Sequence, residues 1–196
     1  GIGVLSNYLG ARSTNIQNAN IPGIELSIVG QGNFTENLSF TTLAGYTFIH
    51  PTPIDADSAY LTTFSDPDME NPENTILKYR NRNMLKIDFQ LDYKKWAIGL
   101  STRYTSLMEN VDDVFIQPIA NTEILPGYGD YRNARMTGDL VFDCRLAYNF
   151  NNKYKLSILA NNLLNKEYSN RPGNVMPPRT LLWPVSYTHL RAHETQ

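Results

Sequence analysis

Residues 84–100 read MLKIDFQLDYKKWAIGL, and the alternation in this stretch decides the fold. Leu85, Ile87, Phe89, Leu91 and Tyr93 take every second position, with Lys86, Asp88, Gln90 and Asp92 between them. Successive side chains of an extended strand point to opposite faces, so one face is apolar and the other polar. A helix of the same residues would mix both kinds around its circumference. The stretch reads as a strand whose two faces meet different surroundings.

Composition limits what those surroundings can be. The 196 residues carry a net charge of -2, from 17 Lys and Arg against 19 Asp and Glu, which leaves no basic surface for nucleic acid. Apolar runs are only a few residues long, far short of the roughly 20 that a membrane-spanning helix requires. That says nothing of a barrel, whose strands alternate instead of running apolar throughout. The opening GIGVLSNYLG has no initiating Met, basic segment or small-residue cleavage site, so the sequence is expected to be the interior of a longer chain. Cys144 is the one cysteine; it permits no internal disulfide and, beside Phe142 and Leu146 on one face, reads as a small apolar filler.

The same period of two recurs along the chain. It runs through Ile24–Val29, Leu38–Phe48, Trp96–Thr105, Leu140–Tyr148 and Tyr154–Ala160, and a last strand begins near Arg179 with TLLW. The connections alternate in length: QGNFTEN, YKKW and NFNNKY are short, whereas 51–80, 108–136 and NKEYSNRPGNVMPP are long. Short turns therefore gather at one end and long loops at the other, as in an up-and-down outer-membrane barrel; Greek-key sandwiches have no reason to segregate them. The apolar face carries no charge, while Glu25, Lys86, Asp88, Asp92, Arg103, Asp143, Arg145 and Lys155 lie on the other. A sandwich core would exclude charge as well, but the aromatics separate the two. Tyr93, Trp96, Tyr148, Phe150 and Tyr154 cluster by the short turns, and Tyr46, Phe48 and Tyr104 by the long loops, as two interfacial girdles require. The reading is lipid outside and a wet or plugged interior.

Asn161-Asn162-Leu163-Leu164-Asn165-Lys166-Glu167-Tyr168, followed after a Gly-containing loop by Pro178-Arg179-Thr180, resembles the C-terminal end of a TonB-dependent outer-membrane receptor. Pro22-Gly23-Ile24-Glu25-Leu26-Ser27 and Gly45-Tyr46-Thr47-Phe48 are similar to strand motifs upstream of it in that family. The resemblance implies an all-β, antiparallel, up-and-down transmembrane barrel of about 22 strands with an N-terminal plug. Residues 1–183 would be its C-terminal portion, about seven strands in a curved open sheet. It further implies a protein of the bacterial outer membrane that takes up a scarce nutrient such as an iron chelate, a cobalamin or a glycan. Its partners would be that ligand, outer-membrane lipid, and a TonB-type energy-coupling complex reached through an N-terminal part absent here. No catalysed reaction and no cofactor are expected. A passive porin and a soluble all-β ligand-binding module are the alternatives. After Trp183 the sequence PVSYTHLRAHETQ departs from the family; Pro184 and the charged residues beyond it predict that residues 184–196 are a non-native tail, resembling translated sequencing-adapter read-through, that does not continue the last strand as a regular ladder.

Candidate chemistry is sparse. His50 has no nucleophile motif near it, so no catalytic triad can be built. Asp55, Asp57, Asp66, Asp68, Glu70 and Glu73 crowd the first long loop, but DPDMENPENTIL lacks the Gly and Glu of a calcium loop, and no metal site is expected. Gly30-Gln31-Gly32 reads as a turn. The second long loop holds Pro126-Gly127-Tyr128-Gly129-Asp130-Tyr131-Arg132, where Tyr128, Tyr131 and Arg132 could stack on and clamp an anionic or aromatic ligand, with Arg103 on the interior face below.

Overall fold

The computed structural model describes residues 18–54, 76–112, 115–116, 118, 121–151 and 153–187. Twelve strands are named: β1 (Asn18–Asn20), β2 (Gly23–Thr35), β3 (Leu38–Ile49), β4 (Thr52–Ile54), β5 (Asn83–Tyr93), β6 (Trp96–Thr105), β7 (Asp139–Asn149), β8 (Tyr154–Asn161), β9 (Ser169–Arg171), β10 (Asn174–Val175), β11 (Thr180–Leu182) and β12 (Val185–Tyr187). A short helix, α1 (Tyr128–Ala134), lies between β6 and β7. The main sheet runs β11-β8-β7-β6-β5-β3-β2, with β12 also on β8, and every neighbouring pair is antiparallel. Its two outermost strands do not pair with each other, so the sheet is open.

Register carries the alternation from strand to strand. Ile28 faces Ala44, Ala44 faces Ile87, Ile87 faces Thr102 and Thr102 faces Phe142, one apolar row across five strands. A parallel row sets Leu43, Asp88, Ser101 and Asp143 side by side on the other face. A one-residue slip in any pair would exchange the two sets, so the pattern itself specifies the register. The apolar face is open: Ile24, Ile28, Ile98 and Trp183 are 59, 65, 51 and 66 % exposed. Among the described residues no second sheet covers it, as a sandwich would require. Burial falls instead on small residues of the polar face, Ala97, Val141 and Ala147, as on the inside of a curved sheet.

At the short-turn end Trp96 packs on Tyr148 (ring centroids 4.6 Å) and Tyr148 on Phe150 (4.9 Å), an aromatic row along the rim. The β2–β3 turn is tighter than the sequence suggests. Gly30-Gln31-Gly32 is strand, not turn: Gly30 faces Thr42, Gln31 faces Thr41 and Gly32 faces Phe40. Gly32 fits there because the Phe40 ring lies where its Cβ would be, 2.9 Å away, and Phe34 then packs on Phe40 at 4.9 Å.

Prolines cut strands whose register does not change. Asn20 faces Thr52 and Gly23 faces Ile49, so β1 and β4 prolong the β2–β3 hairpin beyond Pro22 and Pro51. The same holds at the other edge, where the expected end of the ladder at Pro184 is corrected. Leu182 faces Leu159 and Val185 faces Leu156, in one register, and Ser157 N donates to Pro184 O at 2.9 Å. Proline lacks only the reciprocal donor, so the ladder skips one bond and resumes. Leu181, Trp183 and Val185 keep the period of two across it. His189, Arg191, His193 and Glu194 lie outside the described residues, as do all six acidic positions of the first long loop.

Candidate functional site

The polar face between β5, β6, β7 and β8 is a worked network of charges. Arg145 on β7 faces Gly99 on β6, which faces Gln90 on β5. Because Gly99 has no side chain, the guanidinium lies flat over β6; a Cβ at Gly99 would stand 2.7 Å from Arg145 Nε. Arg145 thereby reaches the second strand over, donating to Gln90 Oε1 at 3.1 Å and Asp88 Oδ1 at 3.2 Å. Ser101 donates to the other oxygen of Asp88. Arg103, the candidate ligand-binding residue of the interior face, donates to Asp143 Oδ2 at 2.9 Å, and Asp143 Oδ1 accepts the backbone N–H of Asn162 at 2.7 Å.

Asn162 ties this network to the loop after β8. Its Nδ2 donates to Lys166 O at 2.8 Å and Pro177 O at 3.2 Å, and its Oδ1 accepts Lys166 N at 2.8 Å. Its φ is 51° and Asn165's is 52°, the left-handed region that Asn tolerates better than most residues. Asn165 Oδ1 in turn accepts Arg179 N at 2.8 Å. The Asn-Asn-Leu-Leu-Asn motif is thus a structural knot that sets the path back to β11. Its signal in the sequence was the pair of Asn residues three apart.

At the long-loop end the chain builds a cap. Pro51, Ile76, Leu77, Met108 and Val111 are each buried, and their segments, on either side of β5 and β6, are joined by backbone bonds from Leu77 N to Pro51 O at 2.9 Å and from Tyr79 N to Asn110 O at 2.8 Å. Arg82 donates to both Glu109 oxygens (3.0 and 3.2 Å), lies 5.5 Å from the Phe48 ring, and meets His50 Nδ1 at 3.1 Å. Lys78 and Tyr79 both donate to Asp112, and Tyr79 meets Phe115 edge-on at 6.5 Å. Burial first, and then the bond to Asp112, pushes the Tyr79 phenol above its ordinary range.

The three candidates of the second long loop come together on α1, which the sequence did not predict. Tyr131 N donates to Gly127 O at 3.0 Å, and Gly127 supplies the φ of 76° that starts the helix. The rings of Tyr128 and Tyr131 stack at 5.9 Å. Tyr131 OH donates to Asp139 Oδ2 at 2.6 Å and accepts Ser169 N at 2.9 Å; burial, then the Asp139 bond, raises its pKa as well. Arg132 donates to Met108 O at 2.8 Å. Tyr131 and Arg132 thus fasten the helix to β7, the β9 strand and the segment at Met108. Arg103 is not brought to them: it stands in the wall, held by Asp143. Among the described residues no group of three or more His, Cys, Asp or Glu side chains could hold a metal ion.

A family model described as "TonB dependent receptor-like, beta-barrel" matches residues 2–163. No curated protein matches the sequence. Among solved structures the fold is similar to the ferric-catecholate import receptor Fiu of Escherichia coli K12, with a TM-score of 0.59 at 20 % identity over 86 % of this chain and 21 % of that one. It is similar also to the siderophore receptor PiuA of Acinetobacter baumannii, with a TM-score of 0.53 at 17 % identity over 86 % of this chain and 22 % of that one. The chain spans about a fifth of the length of these receptors.

Proposed function

The chain belongs to the TonB-dependent receptor family, as part of its β-barrel, and from that premise we propose that it is a wall segment of a bacterial outer-membrane receptor for energy-coupled uptake of an iron chelate. The observation that carries the membrane reading is the contrast between the faces. Ile24, Ile28, Ile98 and Trp183 stand exposed on one, while Arg103, Asp143, Arg145 and Asp88 pair on the other. Water on the apolar side would leave that area without compensation; hydrocarbon accepts it and would reject the paired ions. The names of the two solved receptors of similar fold favour an iron chelate over a cobalamin or a glycan. Energy would come from a TonB-type complex acting through other parts of the receptor.

Within this reading Tyr128, Tyr131, Arg132 and Arg103 contact or support the ligand in different ways. Tyr131 and Arg132 spend hydrogen bonds on fixing α1, and so present the Tyr128 ring as a stacking surface. Arg103 is the cation met farther in. The test is uptake of a radiolabelled ferric catecholate by cells carrying the full receptor as their sole importer. Tyr128→Ala is expected to weaken capture several-fold, since stacked aromatic pairs contribute about 0.5–1.5 kcal/mol. Uptake that does not depend on the receptor at all would refute the function; uptake unaffected by Tyr128→Ala would refute the site alone.

A further inference from the structure

The short-turn end of the sheet carries more positive charge than negative. Lys94, Lys95, Lys153 and Lys155 lie in or beside the β5–β6 and β7–β8 turns, and all are exposed. The acidic residues near them, among those described, are Glu36 and Asp92, and Asp92 accepts both bonds of the Gln90 amide. The two turns are stitched together: Asn149 N donates to Lys95 O at 2.8 Å, and Lys95 Nζ to Phe150 O at 3.4 Å. Lys94 Nζ sits 5.4 Å from the centroid of Tyr93, a residue of the apolar face. Behind them runs the Trp96, Tyr148, Phe150 row, which leads to an open cleft of about 390 Å³ lined by Phe150, Tyr154, Lys155, Leu156 and Val185.

An apolar cleft beside a rim of lysine-bearing turns suits one kind of occupant, an amphiphile with a hydrocarbon body and a negative head. We propose that this rim binds an anionic glycerophospholipid of the leaflet that meets the short turns. Lys94, Lys95 and Lys153 surround its phosphate, and Phe150, Tyr154, Leu156 and Val185 hold its first acyl carbons. Charge complementarity selects the head, since each lysine near a membrane surface attracts anionic lipid, and the ring-lined groove selects depth, since Trp and Tyr settle at the headgroup level. The inference rests on the membrane reading above.

The test is photo-crosslinking of the full receptor in vesicles doped with photoactivatable phosphatidylglycerol or, in parallel, the matched phosphatidylcholine, with adducts mapped to peptides. Phosphatidylglycerol adducts are expected to concentrate on residues 93–96 and 148–156, and phosphatidylcholine adducts to spread over the apolar face. Lys94→Gln, Lys95→Gln and Lys153→Gln should each reduce the anionic preference by about fivefold. Adducts around Ile98 and Leu100 should stay unchanged, which checks that the variants still insert. Identical maps for the two lipids, or an enrichment that survives the triple substitution, would overturn the proposal while leaving the membrane reading intact. Absence of adducts from either lipid along the apolar face would overturn the membrane reading itself.

Discussion

Asn162 is 3 % exposed, and its side chain satisfies three backbone groups of the loop that follows β8. Removing it strands buried donors and acceptors, each at about 1–3 kcal/mol. Gly138 is constrained differently: its φ is 87°, and a Cβ there would stand 2.2 Å from Thr105 O, a backbone atom that cannot move aside. Gly99 looks as crowded, with Arg145 2.7 Å from its ideal Cβ, but the obstacle is the far end of a flexible side chain. Asn162→Ala and Gly138→Ala are therefore expected to destabilise the sheet by about 2 kcal/mol or more, from unmet hydrogen bonds and backbone strain. Gly99→Ala should cost under about 1 kcal/mol, because the ion pair it displaces is partly exposed. Urea unfolding midpoints in detergent check the order; a Gly99→Ala effect as large as that of Gly138→Ala would contradict it. The family motif could be read in the sequence, whereas the partners of Asn162 could not: they lie 4 and 15 residues away and depend on the loop's path.

At the scale of elements, the seven lanes of the sheet were legible because a half-exposed strand must alternate, and alternation needs no knowledge of neighbours. What stayed hidden were elements that local signals misreport. Two glycines made the later part of β2 look like a turn, and Pro184 made a continuous lane look finished. The seven residues of α1 are too few for a helical period to emerge, and the pairing of Arg145 with Asp88 exists only once β5, β6 and β7 are in register. Pro184→Val restores a donor opposite Ser157 and is expected to stabilise the edge by about 0.5–1.5 kcal/mol. Slower amide exchange at Ser157 and Val185 is the readout; unchanged exchange at both would show that the ladder at Pro184 has nothing to gain. The cap elements predict a pH response. Tyr79 and Tyr131 have folded pKa values raised above the ordinary phenol value of about 10. Their contribution is thus complete below that value and is lost as the pH rises through the folded values. Protease cleavage within 76–82 and 121–138 should increase above about pH 10 in the parent, and a Tyr79→Phe, Tyr131→Phe pair should lack that rise. Equal pH profiles would refute the assignment.

The whole molecule is a sheet with its solvents reversed: ions inside, hydrocarbon-compatible side chains outside. In a Cys144→Ser background, Ile98→Cys in the intact membrane should resist a bulky water-soluble thiol reagent, while Pro126→Cys in the long loop should react rapidly. Equal reaction at both positions would mean that water reaches the apolar face. This arrangement could be anticipated from the sequence because charge is absent from a complete set of alternate positions. Openness also follows at this scale, since among the described residues β2 and the β11–β12 lane are the outermost strands, and backbone groups left unpaired in lipid cost several kcal/mol apiece. The wall therefore needs neighbouring strands along both borders.

The reach of Arg145 across Gly99 has a mechanical consequence. A β-ladder resists lengthwise traction only through the shear strength of bonds to adjacent strands, and those bonds can slip by two residues without exchanging faces. The guanidinium ties β7 to β5 over the top of β6, so such a slip would tear a charged strap along with the ladder. Single-molecule extraction from the membrane should register this as a rupture force for the β5–β7 block that falls in Arg145→Ala, with the hairpin β2–β3 unaffected. Equal forces in the two proteins would leave the strap mechanically idle.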